Sequence, residues 1–166
     1  MNELEAIKKA RDYFLMPDYA RGCAETVLIV LQEAYDLPDP TDSSAAMALN
    51  GGLAWRGGPC GVLLGAAMAV GRLAERRIVG HRNAKRIARR LVDRFIDEFE
   101  VEYGATCCRD LIGREIHTEE DHRAFVENGS WKVACMEQVE FAIRRLLPLA
   151  DESYWKQAVA EVEAQG

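Results

Sequence analysis

A helical hydrophobic period runs along nearly the whole chain, and no β-alternating stretch competes with it. Leu4, Ile7 and Phe14 predict a first helix that stops before Pro17, because the residue ahead of a proline is steered out of the helical region. Asp18 can cap a second helix, on which Ala20, Cys23, Ala24, Val27, Leu28, Leu31 and Ala34 form an apolar stripe. That helix ends near Leu37, and Pro38 to Ser44 reads as a linker and then a cap for a short helix, Ala45 to Leu49. A glycine-rich loop (Asn50 to Pro59) leads into a helix that carries Gly61, Gly65 and Ala69 at four-residue intervals.

A long helix is expected from about Arg82 to Tyr103, with Ala84, Ile87, Ala88, Leu91, Phe95 and Phe99 on one face and Gly104 as its stop. Cys107 to Gly113 predicts a short helix, and Thr118 with Asp121 a capping box for a turn or two ending at Asn128-Gly129. Ser130 is expected to cap a helix to about Leu147, and Pro148 and Asp151 to separate it from a last helix over about 152–164. The fold class is therefore all-α: a compact bundle of six to eight helices in a single domain over 1–166.

At 166 residues the chain can bury a core without covalent staples. The longest uncharged run, Gly57 to Gly71, is 15 residues of mostly small side chains, too short for a membrane span. The opening MNELEAIKKARDYF is charged throughout and lacks the apolar stretch of a secretory signal. The expected setting is the cytoplasm.

Five cysteines in a reducing compartment are not a disulfide framework, and an odd number cannot all pair within one chain. Cys23, Cys60, Cys107, Cys108 and Cys135 form no CxxC, no haem-attachment CxxCH and no zinc-ribbon pair. Taken singly, each could be a small buried hydrophobe. Cys23 lies one turn before Val27, and Cys135 precedes Val139, Ala142 and Leu146, so both are expected on apolar faces. Cys60 is the most suggestive. Gly57-Gly58-Pro59 reads as the start of a helix with proline in its first turn, which would set the thiol beside unsatisfied backbone N–H groups and favour the thiolate. Gly61, Gly65 and Ala69 would let another helix approach that thiol closely.

These pieces together resemble the family named for its C, GCAxxG, C, C cysteine pattern. The matching elements are GCAETVL (Gly22 to Leu28), CGVLLGAAMAVG (Cys60 to Gly71), YGATCCRDLIG (Tyr103 to Gly113) and CMEQVEFA (Cys135 to Ala142), and the likeness spans about residues 20–147. GCA occurs here around Cys23, whereas the central element reads Pro59-Cys60-Gly61. Carried over by position, Cys23, Cys60, Cys108 and Cys135 take the four family places, and Cys107 is an extra. The resemblance implies a small helical redox protein with an unidentified redox partner. Its four cysteines would ligate an iron–sulfur cluster, with zinc the weaker candidate, or would cycle between dithiol and disulfide. In the dithiol version Cys60 attacks and Cys23 or Cys108 resolves. The reading from a different class is a non-catalytic helical module, a homo-oligomer whose cysteines are simply buried.

His117 and His122, with three carboxylates between them, could attract a metal, but the capping box accounts for Thr118 and the acids without one. His81 reads as solvated. Between Arg72 and Arg94 stand nine Lys/Arg against Glu75 and Asp93, in a chain of net charge −6. No aromatic residues interleave these cations in the manner of a nucleic-acid surface. A solvated face, or pairing with the acidic stretch Asp97 to Glu102 of this or another subunit, is the better reading. The glycine-rich loop lacks a Walker lysine and GxGxxG spacing, so no nucleotide fold is expected. Trp55 and Trp131, near two of the cysteines in sequence, read as core aromatics or as shields for a redox centre.

Overall fold

A computed structural model of the protein describes residues 1–17 and 20–164. Eight α-helices are found among them: α1 (Glu3–Phe14), α2 (Cys23–Ala34), α3 (Gly61–Arg77), α4 (His81–Tyr103), α5 (Cys108–Ile112), α6 (Glu119–Asn128), α7 (Ala134–Leu146) and α8 (Glu152–Ala164). Three short 3-10 segments, Ser44–Leu49, Ser130–Lys132 and Leu147–Ala150, join them. The described residues form no strand, and the fold is all-α as the hydrophobic period predicts.

α2 is the centre of the bundle. Every residue from Ala24 to Gln32 is buried, so this helix is covered on all sides, by α1, α3 and α7. α3 lies between α2 and α4, and α8 covers α4. Gly65 explains how closely α3 meets α2: a Cβ there would stand 2.3 Å from the Ala24 carbonyl oxygen. Gln32, buried in α2, donates its amide to the carbonyls of Pro40 and Asp42 at 2.8 and 3.1 Å, and Arg72 donates to its oxygen. That tie holds the linker before Ser44 against the bundle.

Local signals place most boundaries correctly. Gly104 ends α4 at φ 75°, and Thr118 accepts from the Asp121 N–H in the expected capping box of α6. Three boundaries differ. The cap assigned to Asp18 lies outside the described residues, and α2 starts only at Cys23, after Gly22. Ser130 does not cap α7: it opens a 3-10 turn, and α7 begins after Val133. Pro59 is not in the first turn of α3. It precedes Cys60, which is itself the N-cap residue.

Candidate functional site

The site is assembled around the start of α2. Gly22 has no side chain with which to cap that helix, and the missing acceptor comes from far along the chain: Asn50 Oδ1 accepts the Ala24 N–H at 2.9 Å. A Cβ on Gly22 would lie 2.2 Å from the Asn50 side chain, so glycine is required for that approach. Glu25 completes the arrangement. Its buried carboxylate accepts from the Gly22 N–H and from Asn50 Nδ2, both at 2.9 Å, and from the Ser43 hydroxyl at 3.4 Å. The Cys23 thiol is held between this network and α3, 3.8 Å from Asn50 Oδ1. A Cβ on Gly61 would stand 2.6 Å from its sulfur. Gly22 and Ala24 beside Cys23, and Gly61 after Cys60, are thus what bring the starts of α2 and α3 together.

A second tie brings in the third cysteine. Pro59 and Cys107 form an isolated antiparallel bridge, in which the Cys60 N–H donates to the Thr106 carbonyl at 2.8 Å and the Cys108 N–H to the Gly58 carbonyl at 2.7 Å. Neighbouring residues on such a bridge point to opposite faces. Cys60 and Cys108 flank the bridged pair and share a face, while Cys107 lies on the other with Pro59. Cys135 arrives on the first turn of α7, one turn before Gln138, whose buried amide oxygen accepts from the Cys60 thiol at 3.6 Å.

Cys23, Cys108 and Cys135 line a cavity of about 360 Å³, and Cys60, 3% exposed, lies behind it. The remaining wall is mainly apolar and aromatic, with Phe14, Met47, Ile116 and Phe125, and Arg21 is its cation. Trp55 and His122 close one side, their rings 3.8 Å apart between centroids and tilted by 50°. Burial lowers the pKa of His122, so it is neutral at neutral pH. Trp55 is brought there by a run of left-handed backbone, Leu53, Ala54 and Trp55 all having φ between 49° and 66°, a conformation rare for residues with a Cβ. Trp131 is buried, packed edge-on against Phe14 at 5.1 Å.

Burial governs the thiol pKa values. Burial pushes the Cys60 thiol well above its ordinary range, and Cys23, Cys108 and Cys135 each raise it further. Burial likewise raises Cys108 to about 12 and lifts Cys135, and Cys23 adds to both. Cys23 is also raised by burial, against the pull of the backbone N–H groups of Ala24 and Gly51. The expectation that a helix N-terminus would favour the Cys60 thiolate is corrected here. The Val62 N–H does lower its pKa, but loss of hydration outweighs it.

Of the four cysteines singled out from sequence, Cys23, Cys108 and Cys135 line one cavity and Cys60 is buried behind it, while Cys107 is not in the cavity wall. His117 is not in the cavity wall and hydrogen-bonds to Glu115 at 2.8 Å. Asn50, Glu25 and Gln138 escaped the sequence reading. The Gly22-to-Glu25 interval is capping-box spacing, and Gln138 lies one turn from Cys135 on the same face, so both carried a signal. Four soft thiols suit an iron–sulfur or zinc centre in kind. Their placement does not: among the described residues no three His, Cys, Asp or Glu side chains stand together as a metal site.

An all-helical fold that brings three cysteines from separate elements to one apolar cavity, with a fourth buried behind it, defines a small cysteine-centred protein. Residues 22–148 match the model of the family described as "Putative redox-active protein (C_GCAxxG_C_C)", and the chain belongs to that family. No curated protein and no solved structure matches the chain. The family's description supports a general redox role. Among the described residues, no helix is long and apolar enough to cross a membrane.

Proposed function

We propose that this is a redox protein whose working group is Cys23, Cys60, Cys108 and Cys135, passing electron pairs to and from a partner by dithiol/disulfide exchange. The observation that carries this reading is the placement of Cys23, Cys108 and Cys135 in the wall of one cavity, with Cys60 buried behind it. Because the placement of the cysteines does not form a metal site, no step is derived through a metal or cluster. The exposure of the cavity wall supports giving attack to a cavity-facing cysteine, Cys23 or Cys108, and resolution to the buried Cys60. That division differs from the one the helix N-terminus suggests, and its reason is access.

The attacking thiolate bonds to one sulfur of a partner disulfide, whose other sulfur leaves and takes up a proton. A second cysteine of the group gives up its proton and attacks the mixed disulfide. A disulfide forms in this chain and the second partner thiol departs. Two electrons and two protons have then moved to the partner, which is a disulfide-bearing protein or small molecule. The cytoplasm is the compartment this chemistry suits, since thiols there are kept reduced between turnovers.

The test is anaerobic preparation followed by iron, zinc and sulfide analysis, with thiols counted before and after a disulfide oxidant. The expected result is metal-free protein that loses two of its five thiols while remaining folded. Stoichiometric iron and sulfide would overturn this in favour of a cluster on the same cysteines. Five inert thiols would overturn it in favour of a helical module with buried cysteines.

A further inference from the structure

The outward face of α4 carries its charges in an order that its own helix disfavours. Arg82, Lys85, Arg86 and Arg89 stand exposed on the N-terminal half, and Asp93, Asp97 and Glu100 on the C-terminal half. The first turn holds no acid and the last turn no base. A helix has partial positive charge at its start and negative charge at its end, so both halves oppose the dipole. At about 3.6 residues per turn the seven residues fall on a single stripe. Arg86 pairs with Glu163 at 2.6 Å. Among the described residues the other six make no ion pair within the chain.

We infer that this stripe is the seam of a two-fold dimer, in which α4 lies antiparallel to α4 of a second copy of the chain. Arg82 and Glu100 stand nine residues to either side of Leu91, Lys85 and Asp97 six, and Arg89 and Asp93 two. A two-fold axis on the outer face, at the height of Leu91, therefore sets Arg82 against Glu100 of the second copy and Arg89 against its Asp93, each pair occurring twice. A two-fold contact sets residues at the same angle against one another. These two pairs meet that condition: Arg82 and Glu100 lie on the stripe's midline and Arg89 and Asp93 within about 20° of it, whereas Lys85 and Asp97 lie about 60° to opposite sides.

The second copy also brings acids to the start of α4 and cations to its end, relieving the conflict with the dipole. A uniformly acidic partner or a nucleic acid would suit only the basic half and be repelled by the other. Such a seam is polar, so its strength depends on ionic strength.

Sedimentation equilibrium of the full chain tests the inference at low salt and at about 1 M, where the Debye length falls to about 3 Å. Dimer is expected at low salt and monomer at high salt. Two charge-reversed variants extend the test, Arg82→Glu with Arg89→Glu and Asp93→Arg with Glu100→Arg, their folding checked by circular dichroism. Each alone should dimerise at least about tenfold more weakly, because like charges then face one another. An equimolar mixture should regain the dimer as a heterodimer, since each reversed residue meets its new opposite. Parent protein that is monomeric at low salt, variants that dimerise like the parent, or a mixture that stays monomeric would each overturn the inference.

Discussion

The Cys60 thiol donates to the Gln138 amide oxygen at 3.6 Å, a contact that joins the cap of α3 to a buried polar group on α7. A hydroxyl can make the same donation, so Cys60→Ser removes the sulfur chemistry while leaving Gln138 a partner. The variant should fold, with a stability change within about 1 kcal/mol, yet fail to form the intramolecular disulfide. Cys107→Ser should match the parent in both respects. Thiol counting after oxidation, alongside urea unfolding, separates the two. The opposite pattern, with Cys107 essential, would move the site to the other face of the Pro59–Cys107 bridge.

Gly65 and Gly71 lie on the same helix and respond oppositely to a methyl group. At Gly65 a Cβ would meet backbone, the Ala24 carbonyl oxygen at 2.3 Å, so α2 and α3 must move apart. Gly65→Ala should cost about 1–3 kcal/mol. At Gly71 nothing lies within 4 Å, and alanine there should add about 0.5–1 kcal/mol through helix propensity. Urea midpoints of the two variants give the comparison directly.

The raised thiol pKa values set the pH dependence of labelling. Only the thiolate reacts, so below the pKa the alkylation rate of a thiol rises about tenfold per pH unit. In a variant that keeps Cys108 alone, the rate should go on rising past pH 9.0, the ordinary thiol value, because burial, the largest cause of the shift, remains. A plateau beginning near 9 would show that burial does not govern this thiol.

The same shifts act on stability. A thiol whose pKa is higher folded than unfolded keeps its proton in the native state after the unfolded chain has lost it. Its contribution is complete below pH 9.0 and declines as pH climbs toward the folded value, about 12 for Cys108. Protein reduced throughout should therefore lose stability in alkali. Replacing Cys60, Cys108 and Cys135 together by serine should flatten that loss in a pH series of denaturant midpoints.

Asn50 serves α2 with both halves of its amide, its oxygen accepting from Ala24 and its nitrogen donating to Glu25. Asn50→Ala should destabilise the fold by about 1–3 kcal/mol, because it leaves the buried Glu25 carboxylate short of a donor. Asn50→Asp keeps the acceptor but turns a second carboxylate toward Glu25, so it should not rescue. If the aspartate variant is as stable as the parent, the Glu25 contact is not the one that matters.

Local signals in the sequence carried most of the helices. Thr118 with Asp121, Gly104 and the five buried apolar residues of α4 each act within a few positions of the chain, where spacing can be read directly. The gathering of Cys23, Cys60, Cys108 and Cys135 came from the family resemblance, since nothing in their spacing predicts it. The missed features are those in which distant residues decide. Asn50 supplies the acceptor that Gly22 lacks, and Ser130 is drawn into a 3-10 turn because α7 starts after Val133. The acidity of Cys60 departs from the sequence expectation for a related reason. A helix N-terminus is visible in sequence, whereas hydration lost beneath α7 depends on the assembled bundle.

α7 follows α2, α3 and α5 along the chain, yet it brings Cys135 to the cavity and Gln138 to the Cys60 thiol. During synthesis, then, the earlier thiols emerge before their cover exists and meet solvent with the reactivity of any unprotected cysteine. Docking of α7 buries Cys60 and leaves Cys23 and Cys108 in the cavity wall, so unselective pairing is a hazard of biogenesis more than of the mature protein. Nascent chains stalled before α7 should accumulate scrambled crosslinks that completed chains escape.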